Sequence, residues 1–240
     1  MAEAEVAGLA ARAGPLLALM QLSDSALPIG RHAHAMGLER LFRDGRVTTP
    51  ASLRQMIVAA LRHGAARADG AATAMAHDAV QARDVLALKA VDARLDLLKL
   101  TAPAQAASRR CGSRLAALAP LLGSHATLAE YAAEVGARRT PGHLAVVSGA
   151  LAAAAGIGRE DAVLAEMRGV ATMILSAAVR LDVVPAAASQ AMLAALAPDI
   201  IAATDIALST GPDDMECSAA AGLEIAAMRH ARDDGRLFAT

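Results

Sequence analysis

Leu22-Ser23-Asp24-Ser25-Ala26-Leu27-Pro28-Ile29-Gly30-Arg31-His32-Ala33-His34-Ala35-Met36-Gly37-Leu38-Glu39 is the stretch on which the reading of this chain turns. Pro28 fixes its own φ and pushes Leu27 toward an extended backbone. Gly30 permits conformations that other residues avoid. A helix is therefore expected to stop near Ser23 and a kinked loop to follow. A second helix is expected to begin near Ala33, with Gly37-Leu38-Glu39 inside it. A shaped loop held between two helices is a common place for function, because the helices fix it while it presents polar groups.

Outward from this loop the sequence is strongly helical. The chain has 240 residues, 55% hydrophobic but only 1% aromatic. Alanine supplies roughly a quarter of it, far above ordinary usage. Alanine is the best helix former and a poor strand former. Leu53, Met56, Ile57, Ala60 and Leu61 fall on one face of a helix, as do Leu88, Val91, Leu95 and Leu98, and Met167, Val170, Ala171, Ile174 and Leu181. The pairs Thr49-Pro50 and Thr140-Pro141 place a capping hydroxyl before a proline at the first helical position. Asp213 and Asp214, after Gly211-Pro212, suit the first turn of a last helix.

The expectation is an all-α fold: a single compact multi-helix bundle of about ten helices. The segments read as helical are 15–23, 34–44, 50–67, 69–81, 83–98, 103–120, 126–136, 141–155, 159–183, 186–208 (broken at Pro198) and 212–231. Residues 1–14, with two glutamates and no apolar core, read as a flexible N-terminal leader rather than a secretory signal. Residues 15–233 form the helical domain, and 234–240 a C-terminal tail. In that tail Leu237 and Phe238 follow Asp233-Asp234-Gly235. An apolar, polar-flanked terminus of this kind suits docking on another protein, the alternative being a Phe238 tucked into its own bundle.

Composition excludes several functions. Lys and Arg number 23 against 24 Asp and Glu, so there is no basic surplus for nucleic acid and almost no aromatic surface for base stacking. Residues 140–158 lack Asp, Glu, Lys and Arg, but glycine, proline and alanine dominate over leucine, which favours a buried helix over a membrane span. Cys111 and Cys217 form no Cys-x-x-Cys and read as two small buried residues. A phosphate-binding Gly-x-x-x-x-Gly-Lys-Ser/Thr, a His-Glu-x-x-His and a Gly-x-Ser-x-Gly are all missing. His32 and His34 are weak metal candidates. Imidazoles two residues apart share an ion only on extended chain, and no further ligand stands nearby at a familiar spacing.

The loop resembles the signature of the urease accessory protein UreF family. Asp24, Ser25, Leu27, Pro28, Gly30, His34, Gly37, Leu38 and Glu39 match it in order, while Arg31 stands where a second glycine is usual and His32 where an aromatic residue is usual. Arg109-Arg110-x-Gly112-x-Arg114-Leu115 and His143-Leu-Ala-Val-Val-x-Gly149 resemble middle helices of the family, and Gly149 is expected to permit close helix approach. Leu223-Glu-Ile-Ala-Ala-Met228-Arg229-His230 and Arg236-Leu237-Phe238 resemble its last helix and terminus. The resemblance implies a cytoplasmic, non-enzymatic nickel-insertion chaperone for urease maturation. Such a protein bridges UreD (also called UreH) and the GTPase UreG, couples GTP-dependent nickel delivery to the urease apoprotein, and forms a homodimer. It implies that nickel and GTP are handled by partner proteins and that no cofactor is bound directly. Partner contacts are expected at Pro28, Gly30, Arg31, His32, His34, Glu39, Arg229, His230, Arg236, Leu237 and Phe238. A metal-binding protein using His32 and His34 is the alternative.

Overall fold

The computed structural model describes the backbone of residues 2–239 and the side chains from residue 12 onward. Met1 and Thr240, the ends of the expected leader and tail, lie outside the described residues. The chain is all-α, with no strand among the described residues. Its helices are α1 (Ala2–Leu22), α2 (Leu38–Arg43), α3 (Pro50–Ala59), α4 (Ala71–Gln81), α5 (Val85–Leu98), α6 (Ala102–Leu122), α7 (Ala126–Gly136), α8 (Leu144–Ala154), α9 (Arg159–Arg180), α10 (Ala186–Ala195), α11 (Ala197–Ser209) and α12 (Ala221–His230).

The stripes read from periodicity are buried, with Leu53, Ile57, Leu61, Leu88, Leu95, Met167 and Ile174 all out of contact with solvent. They sort into two adjoining cores. One gathers α2, α3, α9, α10 and α11 around Leu38, Ile57, Met167 and Ile174. The other gathers α4 to α8 around Leu88, Leu95, Leu115, Tyr131 and Leu151. Alanine makes both thin. α4 and α8 approach so closely that a Cβ on Gly149 would lie 2.2 Å from the carbonyl oxygen of Thr73. That contact is the close approach expected of Gly149.

Thr49 caps α3 as read. Its Oγ1 accepts from the Ser52 amide at 3.2 Å, while Ser52 Oγ accepts from the Thr49 amide at 3.1 Å. The break at Pro198 also stands: α10 and α11 meet at 51°, with the proline in the first turn of α11. α9 is long and apolar enough to cross a membrane, but 61% of that window is buried inside the bundle.

Five element boundaries differ from the sequence reading. α1 begins at Ala2, not near residue 15, and Pro15 lies inside it at the cost of one amide donor. The expected helix 34–44 starts late: a short 3₁₀ turn, Arg31–Ala33, lies before it, residues 34–37 are not helical, and α2 begins only after Gly37 at φ 77°. Helices 50–67 and 69–81 are continuous, joined by a π-helical segment, Ala60–Gly70. Gly70 is a packing residue there, since a Cβ on it would lie 2.6 Å from that of Ala207 on α11.

Thr140 does not cap α8. Its hydroxyl donates to buried Asp92 at 2.8 Å, and the same carboxylate accepts from the amides of Gly142 and His143 at 2.7 and 2.9 Å. Residues 212–220 are not helical, so Asp213 and Asp214 begin no helix. This segment instead runs along the π segment, with the Ala219 amide donating to the His63 carbonyl at 2.8 Å and Met215 buried. Cys111 is buried as read, whereas Cys217, on that same segment, is exposed.

The α4–α8 contact makes a direct prediction. Gly149→Val forces backbone apart in a packed interior and costs about 2 kcal/mol. In a chain of this length that lowers Tm by roughly 4–8 °C. An unchanged melting curve in circular dichroism would show that α8 stands further from α4 than described.

Candidate partner-binding site

The loop between α1 and α2 is fastened at each end. Asp24 Oδ1 accepts from the Ala26 amide at 2.8 Å, and Ala33 donates to the Gly30 carbonyl at 3.0 Å. Gly30 takes φ 81°, while Arg31 keeps a negative φ, so arginine satisfies the backbone where the family commonly has a second glycine. Pro28 is exposed and Ile29 buried.

Arg31 does not face outward. Its guanidinium turns under the loop and grips Glu166 of α9 with Nη2 2.7 Å from Oε1 and Nη1 2.9 Å from Oε2. Gly169, one turn on, makes the room, because a Cβ there would lie 2.5 Å from Nη1. This is a bidentate, mostly buried pair, the geometry that arginine suits and lysine does not.

The second fastening joins the two ends of the chain. Glu39, 1% exposed at the start of α2, accepts from the Leu237 amide at 3.1 Å and the Phe238 amide at 3.0 Å. Arg43 Nη2 adds a 2.6 Å bond to the same carboxylate and also donates to the Gly235 carbonyl at 2.8 Å. His230, fully buried, places Nε2 3.1 Å from the Phe238 carbonyl, so that nitrogen carries a proton, and 3.4 Å from Glu39. Ala239 donates to the Ala33 carbonyl at 2.9 Å. The Arg180 guanidinium lies 4.3 Å from the centre of the Phe238 ring and also donates to the His32 carbonyl. Gly37, at φ 77°, lets α2 seat against α12, where a Cβ would lie 2.9 Å from the Ala227 amide.

Phe238 is thus folded into its own bundle. Arg31, His34, Glu39, His230 and Phe238, expected as contact residues, turn inward: Glu39 and His230 bond the Phe238 backbone, Arg31 pairs with Glu166, and His34 is buried. Of the expected contact residues, Pro28, Arg229, Arg236 and Leu237 reach solvent, Leu237 with 58% of its surface. Gly30 and His32 are half-buried between the two groups. The sequence reading missed Glu166, Gly169 and Arg180. One signal was available: Glu166 falls on the apolar stripe of Val163, Met167 and Val170, where a carboxylate needs a buried cation.

The histidines sit among cations. Burial first, then Arg110 and Arg114, lowers the pKa of His34 to about 4. Burial, then Arg31 and Arg180, lowers that of His32. An imidazole pair flanked by four guanidiniums is a poor seat for a metal cation. Among the described residues no three His, Cys, Asp or Glu side chains converge to hold one.

Residues 47–197 match the family model described as UreF. The chain is 31% identical over 230 residues to the urease accessory protein UreF of Arthrobacter sp. (strain FB24), covering 96% of this chain and 99% of that protein. It is 31% identical over 226 residues to the proteins of the same name from Yersinia pestis (strain Pestoides F) and Yersinia enterocolitica (serotype O:8 / biotype 1B), covering 94% of this chain and 98% of each.

Two outcomes test the geometry. Glu39→Ala leaves buried His230 without its carboxylate and frees the tail amides, at a cost of about 3 kcal/mol. Limited proteolysis should then clip residues 234–240 under conditions in which the parent chain resists, and equal resistance would remove Glu39 as the anchor. His34, with a folded value near 4 against 6.5 unfolded, binds no proton in the folded chain across that interval while the unfolded chain does. Stability therefore falls as pH drops from 6.5 toward 4. His34→Asn should flatten this part of the urea-midpoint profile, and an unaltered slope would contradict it.

Proposed function

From the premise that the chain belongs to the UreF family of urease accessory proteins, we propose that it serves urease maturation as a non-enzymatic adaptor that bridges UreD and the GTPase UreG. The adaptor couples GTP-dependent nickel delivery to the urease apoprotein. Nickel is cargo, and it and GTP are handled by the partners, with no cofactor bound directly to this chain. The working form is a cytoplasmic homodimer within that complex.

One observation carries this reading: the two segments that resemble the family most densely, residues 22–39 and 223–238, are hydrogen-bonded to each other through Glu39. Their inward side chains hold the two segments together, and Pro28, Arg229, Arg236 and Leu237 reach solvent from them. Shape fixed in advance lowers the entropy cost of docking. The exposed leucine is the apolar anchor that a partner would cover. The alternative use of His32 and His34 as metal ligands has no observation in its favour.

Co-expression with UreD, UreG and the urease subunits tests the adaptor. Leu237→Glu keeps the backbone amide on Glu39 but puts a charge where the partner would close. It should leave Tm within about 2 °C of the parent, as surface changes do, while UreD no longer co-purifies and urease stays inactive. Removal of residues 234–240 should also abolish UreD binding with helix content intact. Normal co-purification of the Leu237→Glu chain would end the tail-docking reading, and full urease activity without this protein would end the adaptor reading.

A further inference from the structure

The turn from α7 to α8 faces the middle of α6 across an open cleft of about 500 Å³ lined by Arg109, Arg110, Ser113, Arg138, Arg139 and Pro141. Four guanidiniums around one cleft are unexpected in a chain of net charge −1. A fifth, Arg114, stands one turn along α6 and donates to the Ile29 carbonyl at 3.4 Å, which carries the basic surface to the loop of the partner-binding face.

Two of the five are compensated within the chain. Arg109 Nε donates to Asp96 at 2.8 Å, and Arg139 donates to Glu134 with Nη2 at 2.6 Å and Nε at 3.0 Å. Among the described residues Arg110, Arg114 and Arg138 have no carboxylate partner, and all three are exposed. The display is rigid. Arg138 occupies φ 58° at the end of α7, where its amide and that of Arg139 close on the Val135 and Glu134 carbonyls at 3.0 and 2.9 Å. That is the usual helix-terminating arrangement, with arginine standing where glycine is cheapest. The following residues are pinned by Asp92.

We infer that this cleft is a docking surface for a carboxylate-rich segment of a protein partner. Its two rims already seat carboxylates, Asp96 and Glu134, in side-on guanidinium contacts, and the uncompensated Arg110 and Arg138 between them offer the same planar fork to a ligand from outside. The cations are spread over two elements, which fits an extended acidic strand or helix rather than one small anion. There is no aromatic side chain in the cleft to stack a base, and no glycine-rich nest of amides to cradle a phosphate.

The inference stands apart from the urease reading, because its test measures binding and not maturation. Fluorescence anisotropy of a labelled peptide of alternating glutamate and alanine is measured on the full-length chain. The parent should bind it, with affinity falling as salt rises. Arg110→Glu with Arg138→Glu should weaken binding by about tenfold or more while leaving the circular dichroism spectrum unaltered, since neither arginine holds the fold. Arg46→Glu with Arg83→Glu, the same charge change on exposed arginines outside the cleft, should bind as the parent does. The inference is overturned if the parent does not bind the peptide, or if both double variants lose affinity equally. It is also overturned if an oligothymidylate of equal charge binds more tightly and is the ligand lost with Arg110 and Arg138.

Discussion

A single carboxylate, that of Glu39, ties the first turn of α2 to the end of the chain. Taking it out of water is costly, and the cost is met only where several donors converge: two tail amides and the Arg43 guanidinium. Two of these three donors are the amides of Leu237 and Phe238, almost 200 positions away in sequence. The carboxylate therefore specifies closure of the fold more than it stabilises it. Any register in which the tail lies elsewhere leaves a buried charge unpaired, and that penalty selects the observed arrangement. Arg31 and Glu166 repeat the device one layer away, fixing the loop on α9.

The alanine-built core explains why such polar fasteners are needed. Thin side chains bring helices close, as at Gly149 against Thr73 and Gly37 against Ala227, but each buried alanine removes little apolar area from water. The specificity that interlocking large side chains usually supply is correspondingly weak. Buried charge with satisfied partners restores it. Asp92 does the same for the turn into α8. It accepts three hydrogen bonds and, after burial itself, is what pushes the neighbouring Tyr131 hydroxyl to higher pKa.

Much of the fold was legible because its signals are local. The stripes at Leu53–Leu61 and Met167–Ile174 are one-helix patterns, and the Thr49-Ser52 cap spans four residues. The misreadings share a cause: a local signal lost to a distant partner. Gly211-Pro212-Asp213-Asp214 has the look of a helix start, but it closes only a turn, and the amides of Glu216 and Ala219 bond carbonyls of the π segment instead. Thr140 has a capping hydroxyl, and Asp92 takes it. At the site, the motif residues were all visible in sequence, yet their orientation was not. Whether Arg31 points out or in depends on Gly169, some 140 positions away, and no pattern within the loop encodes that.

Orientation also sorts the roles of the matched residues. Side chains in a family signature are commonly taken as contact residues, but Glu39, His230 and Phe238 are spent on holding the two termini together, and His34 is buried. What reaches solvent from the two segments is Pro28, Arg229, Arg236 and Leu237, a mixed apolar and cationic set. In this chain the matched residues that turn inward hold the frame, and others present its surface. The substitution of arginine for the second glycine fits that division: it adds an internal ion pair to the frame and leaves the outward face untouched. The room for that arginine comes from α9, where Gly169 has no Cβ to meet its guanidinium.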